Sequence, residues 1–553
     1  MNAIPTPMNT APVLPASPYD NRGGAWFRPW RFAVWLLGAV CFAILSGCTA
    51  LPMKTAQDTV PSYSIPASEE TDLGRIAANS IPSPELSGFR LMPLGNFSLD
   101  SRLAIAERAQ KTLDVQYYHI QNDETGRLLM RALRDAAVRG VRVRLLLDDW
   151  YTSGEDELLL ALASYPNVEL RLFNPFCCLR GVGQLTRFLL SFDWNRVNHR
   201  MHNKQIIADG AMAIVGGRNV ANEYYLRGSR DNFIDLDAFV VGAVVQDLSK
   251  IFDGYWNSDP VYPLNVVTST RTSKESLQAY FDALTRPEMT QLPSDLPPND
   301  VLGYGPIRED LDAGRLGLIW GNAIALADTP NKVVEAKGML LMNSVTYNVL
   351  DAMNMANEEI IVSSPYLVPG KPGMKWFNDI AGRKIKMQIM TNSLASTDEP
   401  TVHIGYSMYR PEMLKLGIDL YELSSSRVMT NKRQSMLFGK SHARLHAKLV
   451  VIDRKLLFIG SMNLDPRSAR INTEMGLIID SPQLAKELLR VIDIDKLQSA
   501  YRVRLTKSGA CCEWLTFDEE QTGEMILTTE PDSTFSLRFK TWLLSPFVPE
   551  QLL

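Results

Sequence analysis

One ten-residue pattern occurs twice in this chain, and it constrains the fold more than any other feature. The copies are Arg200–Asp209 and Arg444–Asp453, and both read His-x-Lys-x4-Asp. Each copy continues through an apolar stretch into a glycine turn that carries an asparagine. The shared residues are His202, Lys204, Asp209 and Asn219 in the first copy and His446, Lys448, Asp453 and Asn463 in the second. Equal spacing in the two copies predicts an internal duplication.

The pattern also predicts a chemistry. In an extended chain, residues at i and i+2 point the same way, so the histidine and lysine of each copy should share one strand face. An imidazole, an ammonium group and a nearby amide are the groups that a phosphate needs. Two such sets brought face to face would let one imidazole attack phosphorus while the other protonates the leaving oxygen. A single copy would fit a buried histidine and a snorkelling lysine equally well, but the matched second copy favours a catalytic site.

Helical and strand-like segments alternate ahead of both motifs, which predicts an α/β fold. The expected helices are Leu99–Ala109 (capped by Ser98), Thr125–Arg139 and Glu155–Ser164 in the first half and Ser344–Asn357 in the second. The expected strands are Leu113–Tyr118, Val141–Leu147 and Val168–Phe173, then Glu359–Ser363, Ile385–Met390 and Ile418–Leu423. Pseudo-twofold packing of these halves would place both histidines at one interface.

Composition limits the function classes. A chain of 553 residues exceeds one ordinary domain, which agrees with two similar units. Its net charge of -4 argues against a general nucleic-acid binder. None of the six cysteines has zinc-ligand spacing with a histidine, so we expect no metal site, and no cofactor is indicated. The pairs Cys177-Cys178 and Cys511-Cys512 would permit a bridge in an oxidising compartment.

Five shorter segments extend the pattern: Leu113–Tyr118, Arg139–Asp149, Leu172–Phe176, Arg467-Ser468 and Asn472–Gly476. Together with the paired motifs they resemble the phospholipase D superfamily, and within it the bacterial cardiolipin synthases of the C type. The resemblance covers roughly residues 90 to 553. It implies two phospholipase D-like units, each a mixed β-sheet flanked by helices, packed with pseudo-twofold symmetry.

The resemblance also implies roles for individual residues. A carboxylate on the strand after each glycine–asparagine turn would orient a histidine: Glu474 in the second half and Asp237 in the first, with Asp235 close enough to take that place instead. By analogy His202 is the nucleophile and His446 the acid, and the reverse assignment stays open. Asp209 and Asp453 would fix the backbone rather than touch substrate. The groups expected to bind the phosphate oxygens are Lys204, Lys448, Asn219, Asn463 and Ser461.

The N-terminus predicts delivery to the bacterial cell envelope. Residues 1–47 place Arg28 and Arg31 ahead of the apolar run Phe32–Leu45, which is the order of a secretory signal. The ending Leu45-Ser46-Gly47-Cys48 resembles a lipobox, which would make Cys48 the lipidated first residue of a protein that faces the periplasm. An uncleaved signal anchor is the alternative, and the choice between inner and outer membrane stays open. The further expected boundaries are a flexible tether at 48–88, the first unit at 89–300, the second at 301–510 and a C-terminal extension at 511–553.

The resemblance implies a phosphatidyltransferase that forms cardiolipin from phosphatidylglycerol and a second phospholipid through a phosphohistidine intermediate. Its expected partners are an anionic phospholipid such as phosphatidylglycerol and a membrane, without nucleic acid; the sequence does not define a protein partner. Three segments would suit an amphiphilic substrate or a membrane: the apolar insertion Cys177–His199, the basic insertion Ser424–Ser441 and the aromatic tail Phe535–Leu553. Solvated loops and a tail packed on the body explain them equally well. The alternatives are a phospholipase D hydrolase or other phosphodiesterase with the same site, and a non-catalytic lipid-binding lipoprotein.

Overall fold

The computed structural model describes residues 51–58, 60–177, 180–191, 193–290, 296–332, 342–427, 441–493, 499–509, 512–517 and 523–548. Several sequence predictions lie outside the described residues: the signal peptide at 1–47, the lipidation site Cys48, the cysteines Cys178 and Cys511, and residues 428–440 of the basic insertion.

Within these ranges, eighteen strands form one continuous mixed sheet and two more form a small separate sheet. The strands of the first half are β1 (Ser87–Met92), β2 (Thr112–Tyr117), β3 (Arg142–Asp148), β4 (Val168–Phe173), β5 (Gln205–Ala208), β6 (Met212–Gly216), β7 (Asp231–Ile234), β8 (Asp237–Gly242) and β9 (Val261–Pro263). Those of the second half are β10 (Ile319–Ala327), β11 (Glu359–Ser363), β12 (Lys386–Asn392), β13 (Asp419–Leu423), β14 (His442–Leu445), β15 (Lys448–Ile452), β16 (Leu456–Gly460), β17 (Met475–Asp480), β18 (Ala500–Leu505), β19 (Cys512–Phe517) and β20 (Glu524–Leu527).

Helices flank the sheet in both halves. In the first half they are α1 (Asp72–Ser80), α2 (Gly95–Arg108), α3 (Glu124–Val138), α4 (Asp156–Ala163), α5 (Gln184–Leu190), α6 (Trp194–Val197), α7 (Ala243–Trp256), α8 (Leu264–Val267) and α9 (Lys274–Leu284). The remaining helices are α10 (Ile307–Asp312), α11 (Val345–Asn354), α12 (Gly370–Gly382), α13 (Pro400–Lys415), α14 (Pro466–Arg470), α15 (Pro482–Asp493) and α16 (Phe535–Leu544). Across the described ranges, none of the helices combines the length and apolar character needed to cross a bilayer.

The strand order repeats, which agrees with the duplication predicted from the motifs. The first half runs β9-β4-β3-β2-β5-β6-β8-β1, with β2, β3 and β4 parallel. The second half runs β10-β17-β16-β15-β11-β12-β13-β18, with β11, β12 and β13 parallel, and β19 and β20 extend it into the predicted C-terminal extension. Strand β1 pairs with β8 on one side and β10 on the other, so it joins the two halves.

The two halves share a core. One buried apolar cluster combines residues of both halves, among them Phe89, Leu146, Ile207 and Val215 from the first and Leu445, Leu449, Ile459 and Leu477 from the second. All of them come from strands or from strand ends next to the motifs. Because burial of apolar area is the main stabilising term in folding, this shared cluster fixes how the motif segments of the two halves face each other.

Local sequence patterns predicted most element bounds well. Strands β4 and β11 have the predicted limits, and β2, β3, β12 and β13 differ from them by one or two residues. The predicted cap at Ser98 is wrong, because helix α2 begins at Gly95 and Ser98 lies inside it. The Ser98 hydroxyl instead donates to Asp237 Oδ2 at 2.6 Å, a tertiary contact that local propensity does not reveal.

The predicted flexible tether at 48–88 is wrong for its second part, which belongs to the fold. The backbone N–H of Ser64 donates to the carboxylate of Asp253 at 2.9 Å, and Arg144 donates to the Ser62 carbonyl at 2.8 Å. Leu73 in α1 is fully buried, and β1 begins at Ser87. Polar side chains of the body form hydrogen bonds with the backbone of this segment, so the segment packs on the body despite its low apolar content.

Candidate active site

Each motif histidine is held by backbone from the opposite half of the molecule. The His202 N–H donates to the Thr473 carbonyl at 2.8 Å, and the His446 N–H donates to the Ile234 carbonyl at 2.8 Å. Strand β14, which ends immediately before His446, runs parallel to β7 of the first half. His202 precedes β5, so the first motif histidine lies in an extended segment just before a strand rather than within it. The structure therefore brings both motifs to the interface between the halves.

The carboxylates that orient the histidines are exchanged between the halves. His202 Nδ1 lies 2.9 Å from Glu474 Oε2, and His446 Nδ1 lies 2.6 Å from Asp235 Oδ2. Glu474 and Asp235 directly follow the residues whose carbonyls hold the histidine backbones, Thr473 and Ile234. An ionised carboxylate only accepts hydrogen bonds, so each imidazole carries its proton on Nδ1 and leaves the Nε2 lone pair free.

Asp235, and not Asp237, is therefore the orienting carboxylate of the first half, and the choice of Asp237 is corrected. Asp237 lies between two buried guanidinium groups, 3.0 Å from Arg102 and 3.2 Å from Arg218. Strand register shows the equivalence with Glu474. Gly216 pairs with Asp237 and Gly460 pairs with Gly476, so the orienting residue stands two positions before the partner of the turn glycine in both halves.

The glycine turn after the first motif makes room for this carboxylate. A Cβ on Gly217 would lie 2.2 Å from Asp235 Oδ1, so the Asp235 carboxylate would have to move. In the second half the corresponding residue is Ser461, whose hydroxyl donates to Glu474 Oε2. Ser461 was predicted to bind phosphate, and the structure corrects this: its one hydroxyl proton is used to hold Glu474. Ser468 donates to the other oxygen of Glu474 at 2.9 Å.

The two lysines occupy equivalent buried positions. Lys204 Nζ donates to its own motif's His202 carbonyl at 2.6 Å, and Lys448 Nζ donates to the His446 carbonyl at 2.6 Å. An ammonium group has three hydrogens, so two remain for a bound anion. Burial lowers the pKa of Lys448 to about 8 and lowers that of Lys204 well below its usual value, against the opposing charges of nearby carboxylates.

The histidines are neutral and their carboxylates ionised. Burial lowers the pKa of His202 to about 4, with a further contribution from the charges of Lys204 and Lys448. Burial and the charge of Lys448 lower the pKa of His446 as well. Lys448 of the second motif therefore lies near enough to His202 of the first to affect its pKa. Burial alone would raise the pKa of Asp235, but its contact with His446 holds it at about 2.

The motif aspartates have the backbone role expected of them. The Asp209 carboxylate accepts from the backbone N–H groups of Gln110, Lys111 and Thr112 at 2.7 to 3.1 Å. The Asp453 carboxylate accepts from those of Asn357, Glu358 and Glu359 at 2.8 to 3.0 Å. Each therefore fixes the start of the strand that neighbours its own motif strand, β2 or β11.

The motif asparagines are both buried close to this site. The Asn219 amide donates to the Tyr224 hydroxyl at 3.0 Å, and its second hydrogen remains for a ligand oxygen. Asn463 is held through its backbone N–H, which donates to Ser468 Oγ at 3.1 Å. Both asparagines are buried, with 4% of each residue exposed.

Aromatic side chains surround both imidazoles. Tyr118 packs edge-on to His202 with ring centroids 5.2 Å apart, and Tyr224 packs edge-on to His446 at 5.0 Å. Phe233 lies 5.1 Å from His446. Tyr118 ends one of the segments that carry the sequence resemblance, whereas Tyr224 and Phe233 were not predicted. Tyr224 follows the motif asparagine by five residues, and this spacing is the signal that could have identified it. The neighbouring Tyr117 has a different partner: its hydroxyl accepts a hydrogen bond from Arg102 Nε at 2.8 Å.

Charged groups near the site do not form a metal centre. Throughout the part of the chain that the structure describes, histidine, cysteine and carboxylate side chains nowhere gather in groups that could hold a metal ion. The arrangement suits covalent transfer of a phosphoryl-linked group: each half brings one neutral imidazole to the interface between the halves, and each motif adds an ammonium group and an amide for phosphate oxygens.

Known proteins match this chain in both of its halves. Residues 103–256 and 349–495 match the family model described as cardiolipin synthase, PLD-like domain, and each matched segment contains one motif. The chain is 38% identical over 476 residues to cardiolipin synthase C of Escherichia coli, covering 84% of this chain and 96% of that protein. It is 26% identical over 431 residues to cardiolipin synthase of Geobacillus kaustophilus, covering 75% of this chain and 69% of that protein.

A solved structure has the same fold. The phosphatidylserine synthase of Haemophilus influenzae superposes with a TM-score of 0.51 at 14% sequence identity, covering 87% of this chain and all of that one. At this identity the likeness concerns the fold alone.

Proposed function

This chain belongs to the cardiolipin synthase, phospholipase D-like family and is a phospholipid phosphatidyltransferase, and from that premise we propose that it forms cardiolipin from phosphatidylglycerol and a second phospholipid. The observation that supports the proposal is the reciprocal pairing of His202 with Glu474 and of His446 with Asp235. It leaves the Nε2 atom of both imidazoles available at the interface between the halves, and a two-step transfer through a covalent intermediate needs two such atoms.

In the first step the Nε2 of His202 attacks the phosphorus of phosphatidylglycerol. The bond from phosphorus to the headgroup oxygen breaks, and that oxygen takes a proton from His446 Nε2, so that glycerol leaves. A difference between the two rings supports this assignment. Among the described residues, His202 Nε2 has no protein hydrogen-bond partner, whereas His446 Nε2 lies 3.5 Å from the Tyr224 hydroxyl.

His446 gains its proton when the anionic substrate binds. In the free enzyme burial and the positive charge of Lys448 lower its pKa. A phosphodiester between the lysines offsets that charge, and so raises the pKa of His446. The lysines and the amides of Asn219 and Asn463 stabilise the negative charge that develops on the non-bridging oxygens.

In the second step the headgroup hydroxyl of another phospholipid enters. It gives its proton to His446 Nε2 while its oxygen attacks phosphorus, and the bond between phosphorus and His202 breaks. Both histidines return to their starting states. When the acceptor is a second phosphatidylglycerol, the products over both steps are cardiolipin and glycerol.

Labelled phosphatidylglycerol in vesicles tests the proposal with the purified full chain. We expect cardiolipin and free glycerol as products; phosphatidate in place of cardiolipin would identify a hydrolase instead. His202→Ala and His446→Ala should each abolish turnover. The matched control is His442→Ala, because His442 is an exposed histidine four positions before His446. Full activity of either motif variant would contradict the two-histidine mechanism.

We also propose that Cys48 carries a lipid and that the body faces the periplasm, on the support of the lipobox-like sequence Leu45-Ser46-Gly47-Cys48. Labelling of cells with a radioactive fatty acid should mark the wild-type chain and leave Cys48→Ser unlabelled. Equal labelling of both chains would contradict lipidation at this residue.

A further inference from the structure

The insertion between β4 and the first motif presents apolar side chains to solvent. Its two short helices are α5 and α6, and four large side chains project from them: Leu185 (69% exposed), Leu189 (53%), Leu190 (41%) and Trp194 (54%). Leu185 and Leu189 are four residues apart and therefore share one face of α5. We call these four residues the apolar surface of the insertion.

Two arginines of the same segment turn inward. Arg187 is fully buried and pairs with Asp149 at 2.7 Å. Arg180 pairs with Asp149 and Asp156, each at 2.7 Å. A third arginine, Arg196, is partly exposed and pairs with Asp193 at 2.6 Å. A solvated loop ordinarily has the opposite arrangement, with charges outward and apolar side chains covered, so this segment is built to meet an apolar phase.

The insertion is bonded to the turn that also positions the first motif. Asp149 follows Asp148, the last residue of β3, and Asp148 accepts from the backbone N–H of Met201 at 2.8 Å and from Arg200 at 3.2 Å. Met201 directly precedes His202. Trp150, next along the same turn, packs against Phe188 of α5 at 5.8 Å. The apolar surface and His202 are thus held by consecutive residues of one turn.

We propose that the apolar surface of the insertion enters the outer part of a phospholipid bilayer and holds the active site at the level of the headgroups; this rests on the proposed function, because it supplies the bilayer-resident substrate. The indole N–H of Trp194 donates to the Leu189 carbonyl at 3.2 Å, so the ring can leave water without losing its hydrogen bond. Four side chains are enough for shallow insertion but fall well short of the roughly 800 Å² that each partner buries in a stable protein–protein interface.

Quenching of tryptophan fluorescence tests this location directly. The full chain is bound to vesicles of phosphatidylglycerol whose acyl chains carry bromine near the headgroup. We expect bromine to quench Trp194, so that the quenched signal is smaller in Trp194→Phe, which keeps an apolar ring at this position. Equal quenching in wild type and Trp194→Phe would overturn the proposal. This readout does not depend on turnover, so a chain that inserts but makes no cardiolipin would refute the proposed function alone.

Kinetics give the second test. In the triple variant Leu185→Ser, Leu189→Ser, Leu190→Ser we expect the KM for phosphatidylglycerol in vesicles to rise about tenfold, because three apolar side chains no longer favour insertion. The kcat, and turnover of dispersed short-chain phosphatidylglycerol, should stay unchanged, which also shows that the variant is folded. Val138→Ser is the matched control, since Val138 is 65% exposed at the end of α3.

A second exposed apolar surface, on helix α16, could make the bilayer contact in place of the insertion. Helix α16 carries Phe539 (49% exposed) and Trp542 (69%). If Phe539→Ser with Trp542→Ser raised the KM for vesicles while the triple variant of the insertion did not, the bilayer contact would belong to α16 and the proposal would be wrong.

Discussion

Asp235 in the first half binds the imidazole of His446 in the second, Oδ2 to Nδ1 at 2.6 Å, and Glu474 makes the reciprocal contact with His202 at 2.9 Å. Each half therefore contains one imidazole and the carboxylate for the other one.

Asp235→Asn should lower kcat on the order of a thousandfold, because an amide neither fixes the His446 tautomer nor stabilises its protonated form. The fold should be retained, since the side chain keeps its size. The measurement is kcat together with the urea midpoint of unfolding. An Asp235→Asn enzyme with wild-type kcat would show that the carboxylate does not act through His446.

Asp237→Asn should have the opposite profile. Asp237 is fully buried between Arg102 and Arg218, and removing its charge leaves two buried cations poorly compensated, at a cost of about 3–5 kcal/mol in the free energy of unfolding. Urea denaturation measures the loss, and kcat of the folded fraction should change little. Asp247→Asn serves as control, because Asp247 forms an exposed ion pair with Lys250 and should show no measurable effect.

Gly217→Ala should inactivate the enzyme through Asp235. The added Cβ would lie 2.2 Å from Asp235 Oδ1, so the carboxylate must move away from His446. We expect a loss of kcat comparable to that of Asp235→Asn, measured at saturating substrate. Gly254→Ala is the control, because a Cβ on Gly254 would meet no atom within 4 Å. Normal activity in Gly217→Ala would mean that the precise position of Asp235 is unimportant.

The alkaline limb of the pH profile should report Lys448. A lysine is charged below its pKa, and that of Lys448 is about 8, so kcat/KM should fall as the pH rises through this value and the phosphate loses a positive partner. Lys448→Arg keeps its charge at every accessible pH and should move the limb to higher pH, at a reduced overall rate. An unchanged limb in this variant would assign it to another group.

Asp209→Ala should cost about 2–4 kcal/mol of stability, because three backbone N–H groups lose an acceptor that is itself buried. The equivalent Asp453→Ala should cost less, since Asp453 is partly exposed and water can replace it. Urea denaturation of both variants measures the difference. A selective loss of kcat without loss of stability would instead place these aspartates in the chemistry.

The sequence predicted the duplication, the motifs and most strand bounds, because these depend on local spacing and apolar periodicity. It did not decide between Asp235 and Asp237, because the two lie two residues apart at one strand end; the pairing with β6 and the contact with His446 identify Asp235. Aligning Asp235-Leu236-Asp237 with Glu474-Met475-Gly476 would have given the answer. The exchange of carboxylates between halves was not predictable, since residues 211 positions apart meet only through the shared core.

Composition gave a wrong prediction for the segment before β1, where polar contacts rather than apolar burial hold the chain to the body. The segment around Ser62 and Ser64 is rich in small and polar residues and reads as a linker, yet Arg144 and Asp253 bind it to the body. The same segment determines the reach of the enzyme. If Cys48 is lipidated, only fourteen residues separate the lipid from Ser62, and a linker of that length spans at most about 50 Å when fully extended. A lipid on Cys48 would therefore confine the catalytic body to the membrane leaflet in which that lipid is inserted.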